Sequence, residues 1–306
     1  MRKAAVLAAA ALGVGAAARA GLALGWPAAA TIMLAVLAFV SALAAIAGLA
    51  RGDWIFARLA TPALFGIVVF WAWEMFAVGL SIPSVLLPAP SAIAVSFAAN
   101  LATLGGDFRQ TFLKSALSGY AAGCTAGFVV ALAIDRSPFL RRGLLPLGNL
   151  ASVMPIVGIA PIMVMWFGFD WPSKAAVVVV MTFFPMLVNT TAGLAAAGTM
   201  ERELMRCYAA GYSRMLFKLR LPAALPHIFT ALKLNSTLAL IGAVVAEFFG
   251  TPILGMGFRI STQAARMDMA MVWATIACAA LAGSLSFGAI AMLERAVTFW
   301  HPSFRD

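Results

Sequence analysis

The chain has 306 residues, 63% hydrophobic and 10% charged, with a mean hydropathy of +0.99. Soluble domains carry roughly 25% charged residues, so composition excludes a soluble fold and starts the reasoning from lipid. On a soluble protein the net charge of +10 would suggest nucleic acid; here the bases cluster in short loops, as the positive-inside rule describes, and no nucleic-acid partner is expected.

The apolar runs are long and lack the alternation of barrel strands. The spans are therefore read as helices, which satisfy their own backbone hydrogen bonds in lipid. Hydropathy predicts helices at about 4–20, 28–50, 61–80, 111–135, 144–168, 173–197, 229–248 and 271–293. The first, in MRKAAVLAAAALGVGAAARA, combines Arg2, Lys3, an apolar stretch and an A-x-A ending at Ala20, the pattern of a signal peptide. Whether it is cleaved or spans, the next helix enters from the outside. Arg51 and Arg58 follow that helix. The span 61–80 then carries Glu74, a mid-span carboxylate of the kind that is usually paired or functional.

Span 111–135 places Ser115, Gly119, Gly123 and Gly127 on one helix face. That face allows close approach of another helix, as an internal packing seam or, alternatively, a contact between two copies. Arg136, Arg141 and Arg142 follow it. In 144–168, Met154, Pro155, Met163, Met165 and Trp166 cluster, and in 173–197 Phe183, Phe184 and Pro185 do. Met and aromatics at helical spacing mostly pack cores, while mid-span prolines bend helices, as transport pathways require. A third basic loop follows, from Arg202 to Arg220. Placing the three basic loops in the cytoplasm fits alternating spans, because the intervening loops hold only Arg109, Lys174, Arg259 and Arg266.

That third loop reads ELMRCYAAGYSRMLFKLRLPAALP over 203–226. It is too polar for lipid. Residues 201–210 and 212–220 are predicted as two short helices, with Gly211 permitting the turn. Pro222 is expected to end the second and Pro226 to start the next span. The product is an elbow outside the membrane. Taken alone it reads as a basic juxtamembrane anchor.

The last predicted spans follow. Lys233, near the start of 229–248, is expected to snorkel to the cytoplasmic surface. Glu247 closes that span before FFGTPILGMGFRI, where glycines and a proline prevent a simple helix. Glu247 either lines the pathway or bonds structurally to this loop, and the structural bond is preferred. Cys124, Cys207 and Cys278 are scattered without C-x-x-C spacing, so neither a zinc site nor a disulfide framework is indicated. No Gly-Lys pair occurs, so the chain has no P-loop with which to bind ATP, and it has no H-E-x-x-H or G-x-S-x-G. His227 and His301 lie too far apart in sequence to suggest a catalytic pair. The chain is not expected to be an enzyme or to hold a metal or cofactor.

The elbow resembles the cytoplasmic signature of ATP-binding-cassette importer permeases. That signature has Glu-Ala-Ala, a Gly six residues after the Glu, and a later Leu-Pro. Glu203 and the Leu221–Pro222 pair keep the family spacing, while Leu204 and Met205 replace Ala-Ala and Ala209 stands at the Gly position. Four other stretches resemble the nitrate/sulfonate/taurine type. They are WEMFAVGLSIPSVLLPAPSAI (73–93), the run from Met154 to Leu194, VVAEFFG (244–250) and GMGFRI (255–260). The resemblance covers about 60–306 and leaves 1–59 as an added hydrophobic hairpin.

It implies an all-α polytopic protein: a six-helix permease core with a cytoplasmic coupling helix at about 201–222, in the inner membrane of a prokaryote. Implied partners are an ATPase subunit that binds the ATP, an extracytoplasmic solute-binding protein and a second permease chain, favoured as a homodimer. Glu203, Arg206, Tyr208, Ala209, Gly211, Arg214, Leu221 and Pro222 are the implied coupling residues, with Leu204, Tyr208, Met215 and Leu216 available to fill a groove on the ATPase. Glu74, Glu247, Phe248, Met154 and Trp166 are the pathway candidates. Residues 208–233 and 247–263 look more like the pyrimidine-precursor and riboflavin branch than the sulfonate branch, and Phe248–Phe249 suits a flat heterocycle. The alternatives are sulfonate, taurine or nitrate-like anions. A secondary transporter is a further alternative, although no inverted repeat and few carboxylates support it.

Overall fold

The computed structural model describes residues 13–21, 24, 28–50, 55–137, 139–140, 142–143, 155–250 and 253–300. The expected helical residues 4–12 and 144–154, Met154 among them, lie outside that set. The helices are α1 (13–21), α2 (Ala28–Ala50), α3 (Ile55–Gly79), α4 (Pro90–Ala99) and α5 (Leu101–Arg136). They continue with α6 (Ile156–Phe167), α7 (Trp171–Ala195), α8 (Thr199–Cys207), α9 (Tyr212–Glu247), α10 (Met256–Ala265) and α11 (Met269–Val297). No strand occurs among the described residues. Five stretches are long and apolar enough to cross a membrane: Ala60–Gly79 and the whole of α5, α7, α9 and α11. The all-α polytopic class expected from hydropathy is the class observed.

Two compact units emerge, one ending at Ala99 and including Gln263–Ala274, the other Asn100–Thr262 with the chain from Thr275 onward. In the first, α2 and α3 pack as a pair. The run from Pro83 to Pro90 prevents α3 from continuing and Pro90 opens α4, where a missing N–H is harmless. Glu74 reaches from α3 to α4 and accepts the Ser91 N–H at 2.9 Å and its hydroxyl at 2.7 Å. A carboxylate at a helix N-terminus satisfies orphan donors and suits the dipole. Trp73 meets Trp273 edge-on, with centroids 5.0 Å apart.

In the second unit α7 is the central post, packed by α5 on one side and α9 on another. The small-residue face of α5 meets α7 within the chain. A Cβ on Gly119 would strike the Ala175 carbonyl and Val178, and one on Gly127 would lie 3.0 Å from the Met186 Cβ. Ser115 and the three glycines are buried. The seam is thus internal packing. Across α5, α7 and α9, Cys124, Met186, Leu194, Leu216, Ala224, Ile228 and Ala231 form a buried core.

Three sequence expectations about helices change. The helix expected from 111 begins at Leu101, and α4 and α10 were not expected. Pro222 does not end a helix: α9 runs unbroken from Tyr212 through Pro222 and Pro226. The chain absorbs Pro222 by widening to a π-helical turn, Leu216–Arg220, in which the Leu221 N–H reaches back to the Leu216 carbonyl. Pro222 has no N–H to give a four-residue bond and its ring crowds the preceding turn, so the looser turn is the local solution. The Lys233 ammonium donates to Glu294 of α11 at 2.6 Å.

Candidate functional site: an elbow and two polar ends

The elbow is built from α8 and the first turn of α9. Along α8 the chain exposes Glu203, Arg206, Leu204 and Met200, and Tyr208, just after its end, is 76% exposed. The turn is made by Ala209, not Gly211. Ala209 has φ +50°, its N–H donates to the Arg206 carbonyl at 2.9 Å, and the Ala210 N–H donates to the Met205 carbonyl at 3.0 Å. This is the helix-ending motif in which glycine is the usual residue, which gives a physical reason for the glycine of the resembling signature at this position. Gly211 has φ −68° and ψ 165°, an extended conformation open to any residue, and starts α9 by accepting the Met215 N–H. Arg214 is exposed, Met215 is half-buried, and Leu216 is 6% exposed within the core. Leu216 is therefore not available to fill an external groove. Leu221 and Pro222 are half-buried at the root of α9.

The root is fastened by residues that sequence reading did not bring together. The Arg220 guanidinium donates to both oxygens of Asp135, at 2.5 and 2.6 Å, and its Nε donates to the Leu194 carbonyl at 3.0 Å. The Tyr212 hydroxyl donates to the same Asp135 at 2.9 Å, and Arg136 lies over the Tyr212 ring, 5.3 Å from its centre. Arg202 donates to the Ala195 carbonyl at 2.5 Å. Together α5, α7 and the two elbow helices close in one bidentate knot. The C-terminal carbonyls of α7 are satisfied by guanidiniums, as orphan helix-end acceptors require.

At the opposite ends of α5, α7 and α9 lies a second knot. Glu247 is 2% exposed. It accepts the Gly257 N–H at 2.7 Å and the Thr111 hydroxyl at 2.8 Å. Thr111 in turn accepts the Met256 N–H at 2.7 Å. Asp107, fully buried, accepts the Gly255 N–H at 2.8 Å and the Arg259 Nε at 2.7 Å. Gly255 has φ +137°, and a Cβ there would collide with the Glu247 carboxyl. Lys174, 1% exposed, donates to the Phe169 carbonyl at 2.5 Å. Gln110 donates to Asp170 at 2.8 Å. Asp170, in the turn before α7, is held below the ordinary carboxylate range, first by the Trp171 N–H and then by the Gln110 amide. Thr111 and Gln110 both sit on a second π-helical stretch, Arg109–Ala116.

The pathway candidates separate. Glu247 holds the loop into α10, Glu74 holds the start of α4, and Phe248 and Trp166 are 47% and 71% exposed. The overlooked residues left one weak signal: Asp107 and Asp135 are rare acids at the two ends of one helix. Among the described residues no group of three or more His, Cys, Asp or Glu is placed to hold a metal.

The arrangement is an uninterrupted helical post with an exposed elbow at one end and a glycine loop pinned at the other. The family model described as the inner membrane component of binding-protein-dependent transport systems matches residues 123–299, a stretch that contains the whole elbow. The chain belongs to that family. It is the membrane permease of an ATP-binding-cassette importer of a small solute. This permease is 32% identical over 243 residues to the formylaminopyrimidine transport permease of Halalkalibacterium halodurans, covering 78% of this chain and 95% of that one. It is 28% identical over 264 residues to the riboflavin transport system permease of Chloroflexus aurantiacus, covering 84% and 95%. It is likewise 28% identical over 244 residues to a putative aliphatic sulfonates permease of Bacillus subtilis, covering 79% and 87%. Permeases of this family are inner-membrane transport subunits, not enzymes, and work with a partner ATPase and a solute-binding protein.

Proposed function

We propose that the solute is a nitrogen heterocycle of the vitamin-precursor class, a hydroxymethylpyrimidine or a riboflavin-like ring, passed along a pathway lined by two copies of this chain. The reading is carried by the near full-length likeness to a permease named for formylaminopyrimidine. The riboflavin permease, matched over more of this chain, supports it. The exposed elbow from Thr199 to Arg214 docks on the ATPase through Glu203, Arg206, Tyr208, Ala209, Gly211 and Arg214. Leu221 and Pro222 shape its root. The second reading, an organic sulfonate, rests on the B. subtilis relative.

The test is uptake by the complete transporter, with its ATPase and binding protein, of radiolabelled hydroxymethylpyrimidine, formylaminopyrimidine, riboflavin and taurine. Saturable, ATP-dependent uptake of one of the three ring compounds supports the proposal. Uptake of taurine alone overturns the substrate class.

A further inference from the structure

Among the described residues, several recesses stand apart from the two knots. One, about 550 Å³, is lined by carbon-rich side chains of α2 and α3 with Leu87 and Trp273, and suits an acyl chain better than a polar solute. A second, about 450 Å³, lies beside the elbow root at His227 and Trp300. The third is smaller, about 210 Å³, and lies between the middle stretches of α5, α9 and α11. Its walls are Phe112, Tyr120, Ser236 and Ser286, closed by small or aliphatic residues including Ala239 and Ala289.

We propose that this third recess is a resting site for the solute, a flat nitrogen heterocycle, halfway along its passage. The proposal rests on the substrate class above. Four observations carry it. Its depth is right: Tyr120 is near the middle of α5, and Ser236 lies about 16 Å along α9 from Glu247 at 1.5 Å per residue, about half of a 30 Å hydrocarbon core. Its chemistry is right, because two aromatic faces stand beside two hydroxyls, the mix that orients a small ring in a mostly apolar pocket. The hydroxyls have capacity. Ser236 donates to the Lys233 carbonyl at 2.7 Å, which leaves its oxygen free to accept. An aminopyrimidine brings N–H donors to such an acceptor. Its wall is shaped unusually: Phe112 and Ala116 enter it from the π-helical stretch of α5, whose looser turn aims side chains that a regular helix would place elsewhere.

The helix α11 offers a way to fill the recess without touching the core. Ser286 is half-buried and Ala289 is exposed. Ser286→Phe and Ala289→Phe place a ring in the space, whereas Leu285→Phe adds bulk to the same helix at a position outside the lining. The experiment measures uptake by the complete transporter of whichever of the four labelled probes the wild type carries, alongside recovery of the intact complex. Failure of the substrate class thus shows in the wild type, and failure of the recess shows only in the variants. The expected result is an intact complex in all three, uptake lowered about tenfold or more in Ser286→Phe and Ala289→Phe, and unchanged uptake in Leu285→Phe. Ser236→Ala is expected to lower the maximal rate of a ring compound more than that of taurine where both are carried. Wild-type uptake by both filled variants would overturn the proposal. Loss of the assembled complex in both would also overturn it, by making the recess a seat for the second permease.

Discussion

Arg220→Met isolates the knot at the root of the elbow. The variant keeps the length of the side chain but removes both bonds to Asp135 and the bond to the Leu194 carbonyl. An exposed ion pair is worth about 0.2–1 kcal/mol, whereas removing one partner of a buried pair costs about 3–5 kcal/mol. The side chains here are 14% and 9% exposed, which puts the pair near the buried limit. The Tyr212 hydroxyl remains on Asp135 and offsets part of the loss, so about 3 kcal/mol is expected. Replacing both partners, as Asp135→Leu with Arg220→Met, removes the stranded charge and is expected to recover at least about half of that. Thermal unfolding of the detergent-purified chain reads both numbers. The same variants in the complete transporter read coupling: with the elbow loosened, solute-stimulated ATP hydrolysis falls in Arg220→Met. A double variant no more stable than the single one, or a single variant within about 0.5 kcal/mol of wild type, would refute the reading of a desolvated pair that fixes the elbow.

Three further outcomes are expected. Glu247→Ala orphans the Gly257 N–H and the Thr111 hydroxyl, at about 1–3 kcal/mol each, and should sharply lower folded yield. Glu247→Gln still offers one acceptor and should lose much less; equal yields from Ala and Gln would show that these bonds do not hold the loop. At Ala209, φ +50° favours glycine, so thermal stability should rank Gly above or level with Ala, and both above the β-branched Val; stability highest for Val would contradict the turn. Asp170 has a folded pKa below its ordinary 3.8, so its stabilisation is present above that value and lost as pH falls through the folded one. Acid titration of stability should show this loss in wild type and not in Asp170→Asn; identical acid limbs would remove Asp170 from the account.

What was legible in the sequence was whatever local chemistry fixes. Span 173–197 is observed as Trp171–Ala195 because Pro172 marks the start, and the four-residue spacing of Ser115 to Gly127 named the face that packs. The start of α5 was hidden by Asp107, Arg109 and Gln110, polar residues that hydropathy reads as a loop. Asp107 and Gln110 are tolerated because Arg259, Gly255 and Asp170 supply their partners from far along the chain. The same distance hid the Asp135–Arg220 pair and the Thr111–Glu247 bond. The sequence pointed to an elbow yet assigned its turn to Gly211, since glycine advertises freedom that the chain did not use there and Ala209 carries the strain instead.

The ion pair between Lys233 and Glu294 joins residues 61 positions apart. During synthesis Lys233 emerges first, in the mostly apolar part of α9 that follows Arg220, and its partner follows only after further residues that take on the order of several seconds to make. Through that interval the membrane must hold a helix with an unneutralised ammonium, a burden of a few kcal/mol. The last helix therefore completes more than the packing of the bundle. A nascent chain stopped before Glu294 leaves the Lys233 ammonium in α9 without that carboxylate.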